Sequence, residues 1–201
     1  MKTRDQSRAF QGATRGFTLL ELLTVMSIMV MVMAWMTPSL STVIQGTNLD
    51  RAGMIVSDNL ALARQEAVSM NRDVQVRFFD QTNGAQTTVR GIQLWRVDEG
   101  ASGSVPKAIT RIVWFPDQIA VNMDENHSPL LAVADITGSV ENGGVKTTYR
   151  GFRIRANGTL DSSTDQTYIT VQNSNDSATS PKNFYTIQMN PLTARVTTYR
   201  P

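Results

Sequence analysis

A long apolar run near the N-terminus constrains this 201-residue chain more than any other feature. Residues 17–37 contain a single charged side chain, Glu21. As an α-helix rising about 1.5 Å per residue, this run would be about 30 Å long, which matches the hydrocarbon core of a bilayer. A carboxylate near the start of such a run is costly in lipid unless it is paired. The run therefore predicts a membrane-spanning helix whose one acidic side chain has a partner.

The charges on either side of this run predict its orientation. The first 16 residues hold four basic side chains and one acidic one: Lys2, Arg4, Arg8, Arg15 and Asp5. No charged residue occurs between Thr37 and Leu49 on the other side. Because positive charge marks the cytoplasmic flank of a span, we expect the N-terminus in the cytoplasm and the C-terminal part in the periplasm. Without residues 1–16 the chain keeps 15 basic and 16 acidic side chains, so the remainder is nearly neutral.

The residues around the start of the run form a compact motif, Gly16-Phe17-Thr18-Leu19-Leu20-Glu21, directly after the basic leader. This motif, together with the apolar run, resembles the prepilin signature of type IV pilins and type II secretion pseudopilins. The resemblance implies that a prepilin peptidase cuts between Gly16 and Phe17 and N-methylates Phe17. It also implies that Glu21 pairs with the N-terminal amine of a neighbouring subunit. Such pairing is physically coherent, because a buried carboxylate and a buried ammonium are each unfavourable alone.

Two simpler interpretations of the N-terminus remain. A cleaved secretory signal has an apolar core of about 7–15 residues and a small-x-small cleavage site, whereas this run is longer. The one tolerable site of that kind is Ser39-Leu40-Ser41. A plain signal anchor would cross the membrane with no need for Glu21. The complete motif favours the prepilin interpretation over both.

A second helical pattern follows the apolar run. Pro38 is expected to kink the helix or to open its hydrogen bonds locally, because proline lacks an N–H and crowds the preceding turn. The polar residues 39–48, which include Gly46, weaken the helical pattern. Steps of four and three then place one set of residues on a single helix face: Leu49, Gly53, Val56, Leu60, Ala63, Ala67 and Met70. Residues 38–71 are therefore predicted to form an amphipathic helix that ends near Asn71.

From Asp73 onward the apolar period changes to two, which indicates β-strands. The small residues of the helix face, among them Gly53, would let a sheet approach the helix closely. We predict strands at residues 74–78, 89–97, 109–115, 149–156, 167–172, 184–189 and 195–199, with further candidates at 119–123 and 130–133. Loops are predicted at 99–106, 137–144 and 173–182, a turn at Asn83-Gly84 and a two-residue hairpin turn at Asn157-Gly158.

A helix followed only by antiparallel hairpins predicts an α+β fold, in which a long N-terminal helix packs on an antiparallel β-sheet domain. The domain plan is a leader at 1–16, a transmembrane half-helix at 17–37, an amphipathic half-helix at 38–71 and a β domain at 72–201. The last part resembles the group typified by pseudopilin H of type II secretion and FimT-like minor pilins. Residues 152–160 fit the strand, Asn-Gly turn and strand of that group. Residues 192–196 fit its final turn, except that Ala194 stands where glycine is usual.

The sequence contains no constellation that predicts catalysis. It has no cysteine and a single histidine, His127, which falls in a region expected to be a loop. Catalysis or zinc binding by this histidine would need partner residues that the sequence does not indicate. No phosphate-binding loop and no dinucleotide-binding glycine motif occurs. We therefore expect a protein that is not an enzyme and that uses neither a cofactor nor a metal.

One group of basic residues leaves a second function open. Arginine side chains lie among tyrosines in the last strands, and the candidate DNA contacts are Arg153, Arg155, Arg195 and Arg200. Arginine beside aromatic rings can pair with phosphates and stack on bases. The resemblance to FimT-like minor pilins, which are linked to DNA uptake, admits this function. Solvated strand faces are the alternative, and the nearly neutral chain argues against strong nonspecific DNA binding.

The primary hypothesis is structural. We expect the chain to be a minor pilin-like or pseudopilin subunit with one span in the inner membrane and its C-terminal domain in the periplasm. Prepilin peptidase would process it, and other pilin or pseudopilin subunits would join it in a filament of a type II secretion or type IV pilus-like machine. The alternative is a DNA-binding minor pilin involved in DNA uptake, for which nucleic acid would be a further partner.

Overall fold

The computed structural model describes residues 16–83, 86–100, 103–142 and 145–200. Most of the predicted leader and the second residue of the Asn83-Gly84 turn lie outside these ranges. The chain divides into two compact units, Met1–Thr42 and Val43–Pro201, which are described separately below. The helices are α1 (Leu19–Met70) and α2 (Pro129–Ala132).

Eleven strands follow α1 in the described residues, and all of their pairings are antiparallel. They are β1 (Val74–Asn83), β2 (Gln86–Gly100), β3 (Gly103–Ala108), β4 (Val113–Trp114), β5 (Ile119–Val121), β6 (Ile136–Asn142), β7 (Val145–Ile154), β8 (Leu160–Asp161), β9 (Tyr168–Asn173), β10 (Phe184–Met189) and β11 (Val196–Tyr199). The order in the sheet is β11-β10-β9-β5-β2-β1-β7-β6, with β3 and β4 paired to β2 and β8 paired to β7. A long helix with an antiparallel sheet confirms the predicted α+β class.

The helix α1 continues through the segment where the sequence pattern is weak. Pro38 and residues 39–48 are helical, so the loss of pattern there does not end the helix. The hydroxyl of Thr47 donates to the carbonyl of Val43 at 3.0 Å, which satisfies it inside the helix. The helix ends as predicted at Asn71, which has a φ of 51°. There the Arg72 N–H donates to the carbonyl of Ala67 at 3.1 Å and closes a left-handed cap.

One face of the second part of α1 packs on the sheet. The fully or almost fully buried residues of this face are Leu49, Ala52, Val56, Leu60, Ala63 and Ala67. The apolar stripe was therefore predicted correctly from Leu49 to Ala67, over about five turns, but Met70 is 53% exposed and its assignment to the stripe was wrong. Alternating steps of four and three average 3.5 residues, so such a stripe drifts by about 20° per heptad on a straight helix. Over the three heptads from Leu49, that drift carries Met70 off the buried face.

The sheet side of this core comes from alternate residues of the strands. Val74, Val76 and Phe78 of β1 are each buried completely, as are Ile92 and Leu94 of β2. They join the helix residues in one hydrophobic cluster. The period of two in the sequence therefore identified the face of β1 and β2 that meets α1.

Two assignments between residues 99 and 115 were wrong. The strand β2 runs on to Gly100 and returns as β3, which pairs with it from Trp95↔Ala108 to Gly100↔Gly103, where a loop was predicted. The strand predicted at 109–115 is reduced to β4, because Thr110 interrupts the ladder with its side chain. Its hydroxyl oxygen accepts from the Leu94 N–H at 3.0 Å.

Two further assignments fell on segments with ambiguous sequence signals. Residues 130–133 were a candidate strand, but Pro129–Ala132 is a helical turn with proline at its start, a position that proline favours. The loop predicted at 137–144 is largely strand, because β6 pairs with β7 from Ile136↔Gly151 to Asn142↔Val145. By contrast, β5 confirms the candidate strand at 119–123 in part, and β10 has the bounds that the sequence predicted.

The two turns near the C-terminus each contain a left-handed residue. The turn at Asn157-Gly158 is confirmed, but it closes a three-residue loop, because the Arg155 N–H bonds the Thr159 carbonyl at 2.9 Å. Gly158 has a φ of 79°, as such loops require. Ala194 has a left-handed conformation with a φ of 46°, which is less favourable for alanine than for glycine.

Candidate functional site

The predicted cleavage point lies just before the first turn of α1. Gly16, Phe17 and Thr18 precede the helix and are all exposed. Phe17 keeps 79% of its surface exposed. A Cβ placed on Gly16 would have no described atom within 4 Å. The fold therefore does not itself require glycine at position 16, so any such requirement has to come from an enzyme that binds this peptide.

Thr18 is the cap of α1. Its carbonyl accepts from the N–H groups of Glu21 and Leu22, each at 3.1 Å. Its hydroxyl oxygen also accepts from the Glu21 N–H at 3.2 Å. Thr18-Leu19-Leu20-Glu21 has the T-x-x-E spacing of a capping box, a signal that the sequence interpretation missed. Such a cap stabilises a helix by about 1 kcal/mol.

Glu21 therefore stabilises the start of α1, in addition to the pairing with a neighbouring subunit that the motif implies. It lies in the first turn of α1, where a carboxylate interacts favourably with the unpaired N–H groups and the helix dipole. That interaction is typically about 0.3–1 kcal/mol at an exposed site. An experiment on Glu21 must separate this effect at the helix start from any contact with a second subunit.

The helix that follows exposes apolar side chains on all sides. Between Leu19 and Trp35, large apolar residues that are 45–84% exposed include Leu19, Leu20, Leu22, Leu23, Val25, Met26, Ile28, Met29, Val30, Met31, Val32, Met33 and Trp35. A contiguous apolar surface of this extent marks a site of interaction with another protein or a membrane.

No helix in the described part of the chain combines the length and the apolar character that a membrane crossing requires.

Three of the four candidate DNA contacts have acidic partners. Arg155 lies 2.7 Å from Asp161, and this carboxylate raises the pKa of the arginine. Arg153 lies 3.5 Å from Asp73. Arg200 forms an ion pair with Asp50 of α1, and Arg195 is exposed with no ion pair among the described residues. The paired arginines are partly neutralised where they lie, which weakens the case for phosphate binding.

The four arginines also do not gather at one place. Arg200 pairs with Asp50, whereas the turn before Arg195 is bound through the Thr193 carbonyl, which accepts from Arg64 at 2.6 Å. Asp50 and Arg64 are 14 residues apart on α1, or about 21 Å along the helix axis. Arg195 and Arg200 therefore lie near different ends of this helix segment.

The single histidine sits in an ordered turn. His127 Nδ1 lies 3.3 Å from Asp124 Oδ1, and the same carboxylate oxygen accepts from the Asn126 N–H at 2.9 Å. These hydrogen bonds, first that of Asn126, hold the pKa of Asp124 below its usual range. Across the described residues, no group of three metal-binding side chains comes together. The turn has the hydrogen bonds of an Asx motif, which accounts for Asp124 and His127 structurally.

The comparison with known families agrees with the position of the motif. Residues 12–37 match the family described as Prokaryotic N-terminal methylation motif. No curated protein and no solved structure matches the chain. The matched residues include the exposed Gly16-Phe17 bond, the Thr18 cap and Glu21. This prepilin-type motif supports a pilin- or pseudopilin-like protein that is processed by a prepilin peptidase and assembles with other pilin subunits.

Proposed function

We propose that this chain is a structural subunit, minor pilin-like or pseudopilin, of a type II secretion or type IV pilus-like filament. The observation that carries the proposal is the methylation motif at residues 12–37, whose cleavage point is exposed directly before a capped helix. In this role the chain is a substrate of prepilin peptidase and is not itself an enzyme. The DNA-binding alternative is not advanced, because Arg153, Arg155 and Arg200 are each paired with an aspartate.

Processing at this point leaves the start of the helix intact. Cleavage between Gly16 and Phe17 removes no atom of the Thr18 cap, since its donors and acceptors all lie in the processed chain. The new amine would be on Phe17, two residues before the first residue of α1, and Glu21 lies four residues further along the chain. In the proposed filament, the carboxylate of one subunit meets the amine of a neighbour, and each charge compensates the other.

The proposed location is the inner membrane, with the N-terminus cytoplasmic and the β domain periplasmic before extraction into the filament. The methylation motif and the basic residues before it support this orientation. The exposed apolar residues between Leu19 and Trp35 support an apolar environment for this segment, whether lipid or the helices of other subunits.

The experiment that tests the proposal is an intact-mass measurement on protein co-expressed with a prepilin peptidase. We expect a chain that begins at Phe17 and carries one added methyl group. The variant Gly16→Leu should keep the leader, because a bulky side chain blocks close approach of the scissile backbone. Its thermal unfolding should match that of the unprocessed wild type, because no described atom lies near the added side chain. Loss of only the initiator Met, or a start near Thr42, would overturn the proposal.

A further inference from the structure

We propose that the face of the sheet opposite α1 carries a binding site for a short acidic saccharide, built around Trp114 and Arg111. This site is separate from the N-terminal motif and goes beyond the proposed structural role. It lies over β1, β2 and β7, on the side chains that alternate with those of the hydrophobic core, and it is bordered by Trp114 of β4 and by Arg111, which precedes β4. The aromatic and cationic side chains of this surface are called the outer-face cluster: Arg77, Phe79, Trp95, Arg111, Trp114 and Tyr149.

Two glycines make room for the rings of this cluster. Gly91 pairs with Trp114 across β2 and β4, and a Cβ on Gly91 would lie 2.7 Å from the indole. Gly138 pairs with Tyr149 across β6 and β7, and a Cβ there would lie 2.6 Å from the phenol oxygen. An aromatic ring over a cross-strand glycine restores packing that the glycine lacks. The positions of both rings are therefore built into the pairing of the strands.

The cluster also contains a buried cation that has no acidic partner among the described residues. The Arg77 guanidinium lies 4.1 Å from the ring centre of Trp95 and 4.4 Å from that of Tyr149. Arg77 is only 5% exposed, and its hydrogen-bond acceptor is the Gln75 side-chain oxygen, at 2.6 and 3.0 Å. Ring faces and an amide compensate a guanidinium only in part, so the outer-face cluster contains a cation whose charge is not fully balanced.

The cluster borders two clefts that share Trp114. A cleft of about 470 Å³ is lined by Trp95, Arg111 and Trp114 among others. A second cleft of about 300 Å³ on the same ring is lined by Asp80 and Lys146. The Trp114 side chain is 42% exposed, and Arg111 is exposed with no ion pair in the described part of the chain. An exposed indole between two clefts, beside a free guanidinium, offers one stacking surface and one anion contact.

The shape and chemistry of the clefts favour a saccharide over a peptide. An extended peptide binds by adding a strand to a free sheet edge, whereas the larger cleft lies over the side chains of β1 and β2, and the backbone of β1 there is paired on both sides. The larger cleft has the size of a small-molecule site, too small for the groove that an amphipathic helix needs. The C–H face of a sugar ring packs on an indole, and its hydroxyls bond polar groups nearby. The unpaired Arg111 then selects a sugar that bears a carboxylate.

The test is isothermal titration calorimetry on the full-length protein in a detergent without a sugar headgroup. The probes are a trisaccharide of galacturonic acid and the neutral trisaccharide maltotriose. We expect saturable binding of the acidic probe, about fivefold tighter than that of the neutral one, as one exposed ion pair would give. Trp114→Ala should weaken the binding of both probes about tenfold, since it removes the stacking surface.

The variant Arg111→Gln removes the contact with the sugar carboxylate and leaves the Trp114 stacking surface in place. It therefore tests the proposal even if Trp114→Ala fails to fold. It should abolish the preference for the acidic probe and leave the affinity for maltotriose within about twofold. Lys182→Gln, a change of the same charge at an exposed residue outside both clefts, should leave both affinities unchanged. The inference is overturned by no saturable binding of either probe up to about 10 mM, or by an equal preference for the acidic probe in Arg111→Gln and wild type.

Discussion

The contact between α1 and β10 offers a sharp test of the helix–sheet packing. A Cβ added at Gly53 would lie 2.6, 2.6 and 2.7 Å from three atoms of the Tyr185 ring, whereas ordinary contacts begin at 3.4 Å. The ring or the helix would have to move by about 0.8 Å, the difference between 3.4 and 2.6 Å. Such overpacking typically costs about 1–3 kcal/mol of unfolding free energy. The gain in helix propensity from Gly53→Ala, about 1 kcal/mol, offsets part of that cost.

The same helix provides a matched control. A Cβ at Gly46 would meet only the Arg200 guanidinium, at 3.7 Å. Gly46→Ala should therefore raise the unfolding free energy by about 1 kcal/mol. Both variants gain the same helix propensity. The difference between their unfolding free energies is therefore the overpacking cost at Gly53, about 1–3 kcal/mol.

The assay is urea unfolding of the full-length protein in detergent, followed by circular dichroism, with each glycine variant also made in a Tyr185→Leu background. There Gly53→Ala should become as favourable as Gly46→Ala, because the ring is gone. If Gly53→Ala and Gly46→Ala stabilise the Tyr185 protein equally, then Tyr185 does not pack on Gly53 and the register of β10 against α1 is wrong.

Two further predictions concern the compact unit Val43–Pro201. Leu60→Asp should lower the unfolding free energy by about 3–5 kcal/mol, because Leu60 is fully buried and the new carboxylate would be buried with it. Leu62→Asp should lower it by much less, because Leu62 is 36% exposed and water can reach the new carboxylate. Hydrogen bonds from Asn126 and His127 lower the pKa of Asp124 in the folded protein. The ionised Asp124 carboxylate therefore stabilises the fold above the unfolded pKa of about 3.9, and this stabilisation is lost as the pH falls through the lower folded pKa. Asp124→Asn should therefore flatten the stability curve in acid, and an unchanged curve in an acid-unfolding series would contradict this.

The parts of the fold that the sequence predicts are those with a strong period. The face of α1 from Leu49 to Ala67 and the alternation in β1 follow directly from spacing, because each period places side chains on one surface. The polar β6 and the short β3 carry no such period. They are strands because β7 and β2 offer them backbone partners, and tertiary pairing of this kind overrides local preference.

The candidate functional residues also differ in how far the sequence predicts them. The roles of Gly16, Phe17 and Glu21 are predictions from the motif, and the Thr18 cap could have been predicted as well, since its spacing to Glu21 is a known signal. The outer-face cluster could not be predicted. Trp114 meets Gly91 and Tyr149 meets Gly138 only through the register of separate strands, which the sequence pattern does not determine.

The central claim is that Glu21 joins this subunit to others, and it is tested most directly by recruitment of two matched variants. Glu21→Gln keeps a residue that can complete the capping box but removes the charge, whereas Thr18→Ala removes the cap and keeps the charge. The measurement is the amount of each variant that co-purifies with the other filament subunits, at equal membrane levels. The proposal predicts that Glu21→Gln is lost from the filament and that Thr18→Ala is retained. Retention of Glu21→Gln with loss of Thr18→Ala would contradict it, because the helix cap and not the carboxylate charge would then govern assembly.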